Sequence, residues 1–274
     1  MADLEDRRGV LFPGRLPVFA REAAPPRLAD RVRWCWVPRW DLPPGEVSRQ
    51  HLLPFPSANL VVGPDGVELA GPTTRASHVD LEGTGWVVGA LLRPAGLAAL
   101  HPRPRELRDT TVPVAAPDLQ RDVAAAMARP DEDAGRRGAV AVLLAWAEEH
   151  LPAPDEVGRL ANALEDVVAA DRGLVRVDQL ARHLGVSTRA VQRAAERCIG
   201  LPPLAVIRRY RLQEAAQRLR EEPGTTVAQV AADLGYADQA HLAHDFRTVL
   251  GRTARDYRST SRAARADGEP LPPP

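Results

Sequence analysis

The sequence predicts an α+β protein: a β-rich N-terminal domain, a helical connector, and an all-α C-terminal domain whose two helix-turn-helix units are joined by a long helix. Three observations predict it. Short β-prone runs punctuated by Gly and Pro fill residues 32–113. Helical periodicity runs almost unbroken from residue 174 to 258. That helical stretch also repeats itself with a period of 50 residues.

Residues 1–30 are rich in Pro and Arg with weak periodicity, and read as a loosely attached arm. Residues 31–115 form the expected β-rich sensor or dimerisation domain, with the runs VRWCWV, ANLVV, VELA and WVVGALL as its strands. Between Val61 and Leu69, VVGPDGVEL sets a Pro-Asp-Gly turn between two β-prone runs and predicts a hairpin. Helical text begins after Arg93 at GLAALHP, and residues 116–170 are expected as a helical connector, with helices near 117–128, 134–151 and 155–170. In the second of these, Val140, Leu143, Leu144, Ala147 and Leu151 recur at helical spacing as one buried stripe. Residues 171–258 make the helical C-terminal domain, and 259–274, aperiodic and ending in prolines, are expected to be disordered.

The chain has 274 residues, 36 basic and 36 acidic, and every basic one is arginine. Zero net charge hides an uneven distribution. Residues 171–262 hold 16 Arg against 10 acids, so the remainder holds 20 against 26. A basic C-terminal module suits contact with phosphates, although an Arg-rich composition drifting without function would look alike on charge alone. Two distant cysteines, Cys35 and Cys198, exclude a disulfide framework and a multi-cysteine zinc site, and fit a reducing compartment. No apolar run approaches the roughly 18 residues of a membrane span. The charged opening MADLEDRRGV lacks the apolar core of a secretory leader. A cytoplasmic protein without membrane contact is expected.

The repeat carries the functional signal. QLARHLG at 179–185 recurs as QVAADLG at 229–235, and each copy is an amphipathic helix closed by a glycine, a short turn and a second helix. This is the order of a helix-turn-helix. In the first copy, Val191, Ala195, Cys198 and Ile199 project to one face of the second helix. Arg189, Arg193, Glu196 and Arg197 project outward with Gln192 at the edge, and Ser187 stands at the N-cap. In the second copy, Leu242, Phe246, Val249 and Leu250 form the buried stripe. Ala240, His241, His244, Arg247 and Thr248 point away, and Asp238 can cap. Thr226 and Gln229 are spaced as a capping box. Leu204 to Leu219 can form one continuous helix between the units. Arg can read guanine with two hydrogen bonds and Gln can read adenine. One Arg-bearing helix is more often a solvated face; two in equivalent repeat positions tip the balance.

Residues 174–258 resemble the DNA-binding domain of the AraC/XylS family of transcription activators. The resemblance rests on Gly235-Tyr236, His241-Leu242, Phe246-Arg247, Gly251 and Tyr257-Arg258, together with Val191-Gln192-Arg193, Gly200 and Pro203. Four positions depart from the family pattern. Ala254 replaces a usual Pro, Ala195 and Leu242 replace Phe, and Arg176 stands at a Ser/Thr cap. The resemblance implies that Arg189, Gln192 and Arg193 enter one major groove of double-stranded DNA. Gln239, Ala240, His241 and His244 would enter the next, with Arg247 on the same outward face. His244 stands where the family often has Arg, which implies a weaker or different preference in that half-site. No cofactor is implied. RNA polymerase, a small-molecule effector and a second copy of the chain are the further partners it leaves open.

The N-terminal half resembles the β-rich domain of unknown role found in members of that family. The matching pieces are Trp34–Trp40, Leu53-Pro54 with Asn59-Leu60-Val61, Gly71-Pro72 with Thr74, and Leu92-Arg93-Pro94-Ala95-Gly96. Trp34, Trp36 and Trp86 are the candidates to line a pocket for a small apolar ligand, against the plainer reading that they are core. His51, His78 and His101 form no recognisable metal-ligand spacing, and no metal is expected. Cys35 between two tryptophans reads as a small buried hydrophobe. No G-x-S-x-G, P-loop or H-E-x-x-H motif appears, and alkyl-transfer repair chemistry lacks its cysteines, so no enzyme is expected. The sequence leaves open whether the N-terminal domain senses a ligand or only binds a partner.

Overall fold

The computed structural model describes residues 18–52, 55–171, 173–222 and 224–259. Among the described residues, nine strands come first: β1 (Val18–Ala23), β2 (Val32–Asp41), β3 (Val47–Leu52), β4 (Asn59–Gly63), β5 (Gly66–Ala70), β6 (Ser77–Glu82), β7 (Thr84–Trp86), β8 (Val88–Leu92) and, after one helix, β9 (Thr111–Pro113). The helices are α1 (Pro94–Leu100), α2 (Pro117–Met127), α3 (Glu132–His150), α4 (Glu156–Ala170), α5 (Val177–His183), α6 (Thr188–Cys198), α7 (Pro203–Glu221), α8 (Val227–Asp233) and α9 (Gln239–Leu250). The main sheet runs β1-β2-β8-β4-β5-β9, with β7 also paired to β2, and its pairings are antiparallel. β3 and β6 pair with each other in a separate ribbon. The expected hairpin is β4–β5, closed so that Gly63 faces Gly66 across Pro64-Asp65.

The sheet is covered on both faces, and β2 shows how. Cys35 and Val37 point into a cluster with Leu60, Val62, Leu69 and Leu92, closed by α2 and α3 through Leu119, Val123, Val140 and Leu143. Alternation sends Trp34 to the opposite side. There it joins Phe55 and Leu91 in a second cluster with Leu164 and Val168 of α4, Leu180 of α5, Val191 and Ala195 of α6, and Ile207 and Tyr210 of α7. A third cluster holds the second helix-turn-helix unit around Leu212, Leu219, Val230, Leu242, Phe246 and Tyr257.

This packing corrects one expectation about the N-terminal half and extends another. Residues 18–30 are not a loose arm: β1 pairs with β2 along its whole length, and Leu28 in the following turn is fully buried. Pro and Arg density misled because backbone pairing, not side-chain periodicity, holds an edge strand. Residues 116–170 form the three expected helices but are more than a connector, since α2 and α3 complete the N-terminal core while α4 packs against α6 and α7. Of the expected disordered tail, residues 260–274 lie outside the described residues, as do residues 1–17 of the arm and Leu53-Pro54.

Candidate nucleic-acid interface

Each unit places its outward helix by the same local devices. The turn glycines Gly185 and Gly235 take φ of 65° and 67°, left-handed values that cost glycine nothing and other residues roughly 1–2 kcal/mol. Ser187 then caps α6 by accepting from the Ala190 N–H at 3.2 Å, and Asp238 caps α9 by accepting from the His241 N–H at 2.7 Å. At the scaffold helix α8 the capping box is complete. Thr226 Oγ1 accepts from the Gln229 N–H, and Gln229 Oε1 accepts from the Thr226 N–H. α5 has half of it: Gln179 Oε1 accepts from the N–H groups of Val175 and Arg176, but an arginine at the cap has no acceptor to return.

The first row of candidates falls together. Val191, Ala194, Ala195 and Cys198 are buried, so Arg189, Gln192 and Arg193 stand exposed along the other side of α6. In the second unit, Leu242, Phe246, Val249 and Leu250 are buried and Gln239, Ala240, His241, His244 and Arg247 are exposed. Two of these are steadied from within. The His241 ring meets the Tyr236 ring edge-on at 5.2 Å, and His244 Nε2 lies 3.4 Å from Thr248 Oγ1. Arg211 backs this site from α7: its Nε donates to the Leu234 carbonyl at 2.8 Å and its guanidinium lies over the Tyr236 ring. Burial pushes the Arg211 pKa down and the Tyr236 pKa up. The rod between the units, α7, is 19 residues long, roughly 28 Å at the rise of an α-helix.

The three departures that fall in the core are absorbed. Ala195, Leu242 and Ala254 are all buried in the clusters, so smaller side chains still fill the core positions.

The tryptophans are not brought together. Trp34 and Trp36 lie on the face that packs against the C-terminal helices, whereas Trp86 packs against the cluster under α2 and α3. Opposite strand faces separate them, because Trp86 pairs with Arg39 and not with an even-numbered residue of β2. Trp36 lies over its cross-strand partner Gly89, where an added Cβ would come within 2.2 Å of the ring, and its Nε1 donates to Asn59 Oδ1 at 2.9 Å. The three are placed as packing residues on two faces, not as the wall of one pocket. Among the described residues no group of three or more His, Cys, Asp or Glu could hold a metal ion.

Sequence reasoning missed the junction between the halves. Glu165 of α4 is 1% exposed and receives hydrogen bonds from Ser57 Oγ at 2.8 Å, Tyr210 OH at 3.2 Å and Arg33 Nη2 at 3.0 Å. Arg93 approaches it at 3.3 Å and pairs twice with Asp166. Four segments meet on one carboxylate. These carboxylates raise the pKa values of Arg33 and Arg93 against the opposing effect of burial. A second junction joins the loop at 73–76 to the second unit. Arg209 donates to the Thr74 carbonyl at 2.5 Å, and the Ala76 N–H donates to the Val249 carbonyl at 2.7 Å. Asp109, held at a φ of 57°, accepts from the Thr74 N–H and hydroxyl and so fixes that loop.

Compared with known proteins, residues 180–260 match a family described as a helix-turn-helix domain, and residues 21–113 match a domain family of unknown function. A protein of Streptomyces antibioticus named as an AraC-like transcription regulator is 32% identical over 130 residues, covering 44% of this chain and 43% of the relative. Another of that name from Streptomyces lividans is 34% identical over 82 residues, covering 30% and 27%. The chain thus spans less than half the length of each. The solved DNA-binding domain of AdpA, a global transcriptional factor in complex with a target DNA, is 29% identical, covers 40% of this chain and 97% of its own, and superposes with a TM-score of 0.36. Residues 180–260 thus match a helix-turn-helix domain, and over less than half of its length the chain is similar to AraC-like transcription regulators.

Proposed function

We propose that the chain is a cytoplasmic, sequence-specific DNA-binding regulator of transcription, reading adjacent major grooves of double-stranded DNA with α6 and α9. The observation that carries this reading is the pair of capped outward helices in equivalent repeat positions. One presents Arg189, Gln192 and Arg193, and the other Gln239, Ala240, His241, His244 and Arg247. RNA polymerase, a small-molecule effector and a second copy of the chain are its candidate partners. A second reading makes the N-terminal half a module that acts through contact alone, without a ligand. The packing of Trp34 against the reading domain favours it, since that residue couples the halves instead of lining a cavity.

The test is a titration of the full chain against the duplex it selects from a random library, with unrelated duplex as competitor. Arg193→Ala or Gln192→Ala is expected to lower discrimination by about 1–3 kcal/mol for each base no longer read. Unchanged discrimination in both variants would remove α6 from the reading surface.

A further inference from the structure

The turn Pro104–Leu107 belongs to the N-terminal half, yet it is built against the end of α6. Gly200 closes that helix with a φ of 78°, and a Cβ there would come within 2.5 Å of the Pro104 carbonyl. Arg108 Nη2 donates to the Gly200 carbonyl at 2.9 Å. The turn is therefore fixed to the reading helix by backbone contact. Pro102 and Pro104 bracket Arg103 and stiffen its backbone.

Its cationic heads are not fixed. The Arg103 and Arg105 side chains are 71% and 66% exposed, paired among the described residues with Glu106 at 3.0 Å and Glu196 at 3.7 Å. Ion pairs this exposed contribute little and exchange readily. Glu196 is the telling partner. It follows Arg189 and Arg193 at helical spacing on the outward side of α6, so Arg105 meets that row at its C-terminal end. The 11 residues of α6 span roughly 16 Å, against a major groove about 12 Å wide. A helix lying in the groove brings its C-terminal end against the phosphate wall.

We propose that Arg103 and Arg105 form a third DNA contact, supplied by the N-terminal half, which binds phosphates flanking the groove that α6 enters. The proposal rests on the DNA-binding reading above. Arg105 exchanges Glu196 for a phosphate, and Glu196 restrains it when DNA is absent. Phosphate contacts carry no base information, so the third contact strengthens binding to any duplex alike.

The test uses the full chain, titrated by fluorescence anisotropy between 50 and 200 mM salt, against both an unrelated 30-base-pair duplex and the duplex it selects. In Arg103→Gln/Arg105→Gln the slope of log affinity on log salt is expected to flatten by about 2, at roughly 0.9 per phosphate contact. Affinity for the two duplexes should fall by the same factor. Glu196→Gln should raise affinity for both. Arg121→Gln serves as control, since that side chain is 65% exposed on α2, across the sheet from α6, and should change nothing. If the double variant melts below the parent, Arg103→Gln alone carries the test with a flattening of about 1. A parent-like slope and affinity in the arginine variants, while the parent binds, overturns the third contact and leaves the regulator reading standing. A parent that binds neither duplex overturns both.

Discussion

At the scale of single residues, the two helix-turn-helix units differ in one cap. Thr226 both donates its N–H to Gln229 and accepts from it, whereas Arg176 can only donate to Gln179. Its guanidinium turns instead to Asp178, in a pair at least half exposed. Restoring the acceptor with Arg176→Thr is expected to stabilise the chain by about 1 kcal/mol, read as a higher urea midpoint with unchanged slope. The cysteines give a second prediction at this scale. Burial, with Glu22 adding to it, pushes the Cys35 thiol up to about 12. Burial also raises Cys198 to about 11, aided by Asp155 and opposed by Arg197. Both lie above the ordinary value of 9.0, so the unfolded chain gives up these protons first as pH rises. Their contribution to stability is intact below pH 9 and is lost as pH climbs through 9 towards 11 and 12. Native protein at pH 8 should therefore resist iodoacetamide and react at both thiols once unfolded in urea. Rapid labelling of the folded protein would show a thiol more open than the packing allows.

At the scale of elements, a turn glycine and a docking glycine should respond differently to the same substitution. Gly185 has a φ of 65° and open space where a Cβ would go, so Gly185→Ala should cost only the left-handed conformation, about 1–2 kcal/mol. Gly200 has both a φ of 78° and the Pro104 backbone in the way, and that backbone cannot swing aside as a side chain would. Gly200→Ala should cost clearly more by urea unfolding. Equal costs would mean that the turn Pro104–Leu107 yields easily and is not firmly mounted on α6. The same contrast explains what was legible in the sequence. Ser187, Gly185, Asp238 and the Thr226–Gln229 box act on neighbours a few residues away, so both units and both outward rows could be read directly. The strands built on short apolar runs bounded by Gly and Pro, β2, β4, β5 and β8, were readable for the same reason. β1 and the β3–β6 ribbon were not, because they are defined by partners distant in sequence and carry little periodicity of their own. Glu165 was hidden most thoroughly. In a helix such as α4 a carboxylate reads as solvated, and only the arrival of Arg33, Ser57, Arg93 and Tyr210 from elsewhere makes it a junction.

At the scale of the whole molecule, the first helix-turn-helix unit has no core of its own. Leu180, Val191, Ala195 and Ile207 are buried in the same cluster as Trp34, Phe55 and Leu91 of the N-terminal half. The second unit has a separate cluster, but the loop at 73–76 ties it down through Arg209 and Val249. Two halves that share a core cannot unfold independently without exposing it, and burial of that apolar surface is the dominant stabilising term. Calorimetry of the full chain is therefore expected to show one transition, with calorimetric and van't Hoff enthalpies in agreement. Glu165→Ala should lower that transition without splitting it. The variant leaves Arg33 mostly buried beside a missing partner, a cost of about 3–5 kcal/mol for a broken buried pair, while the apolar cluster still couples the halves. Glu165→Gln, which keeps the side chain's size and an acceptor oxygen, should fall between. Two resolved transitions in the parent would mean that the halves are merely adjacent and that the cluster around Trp34 does not couple them.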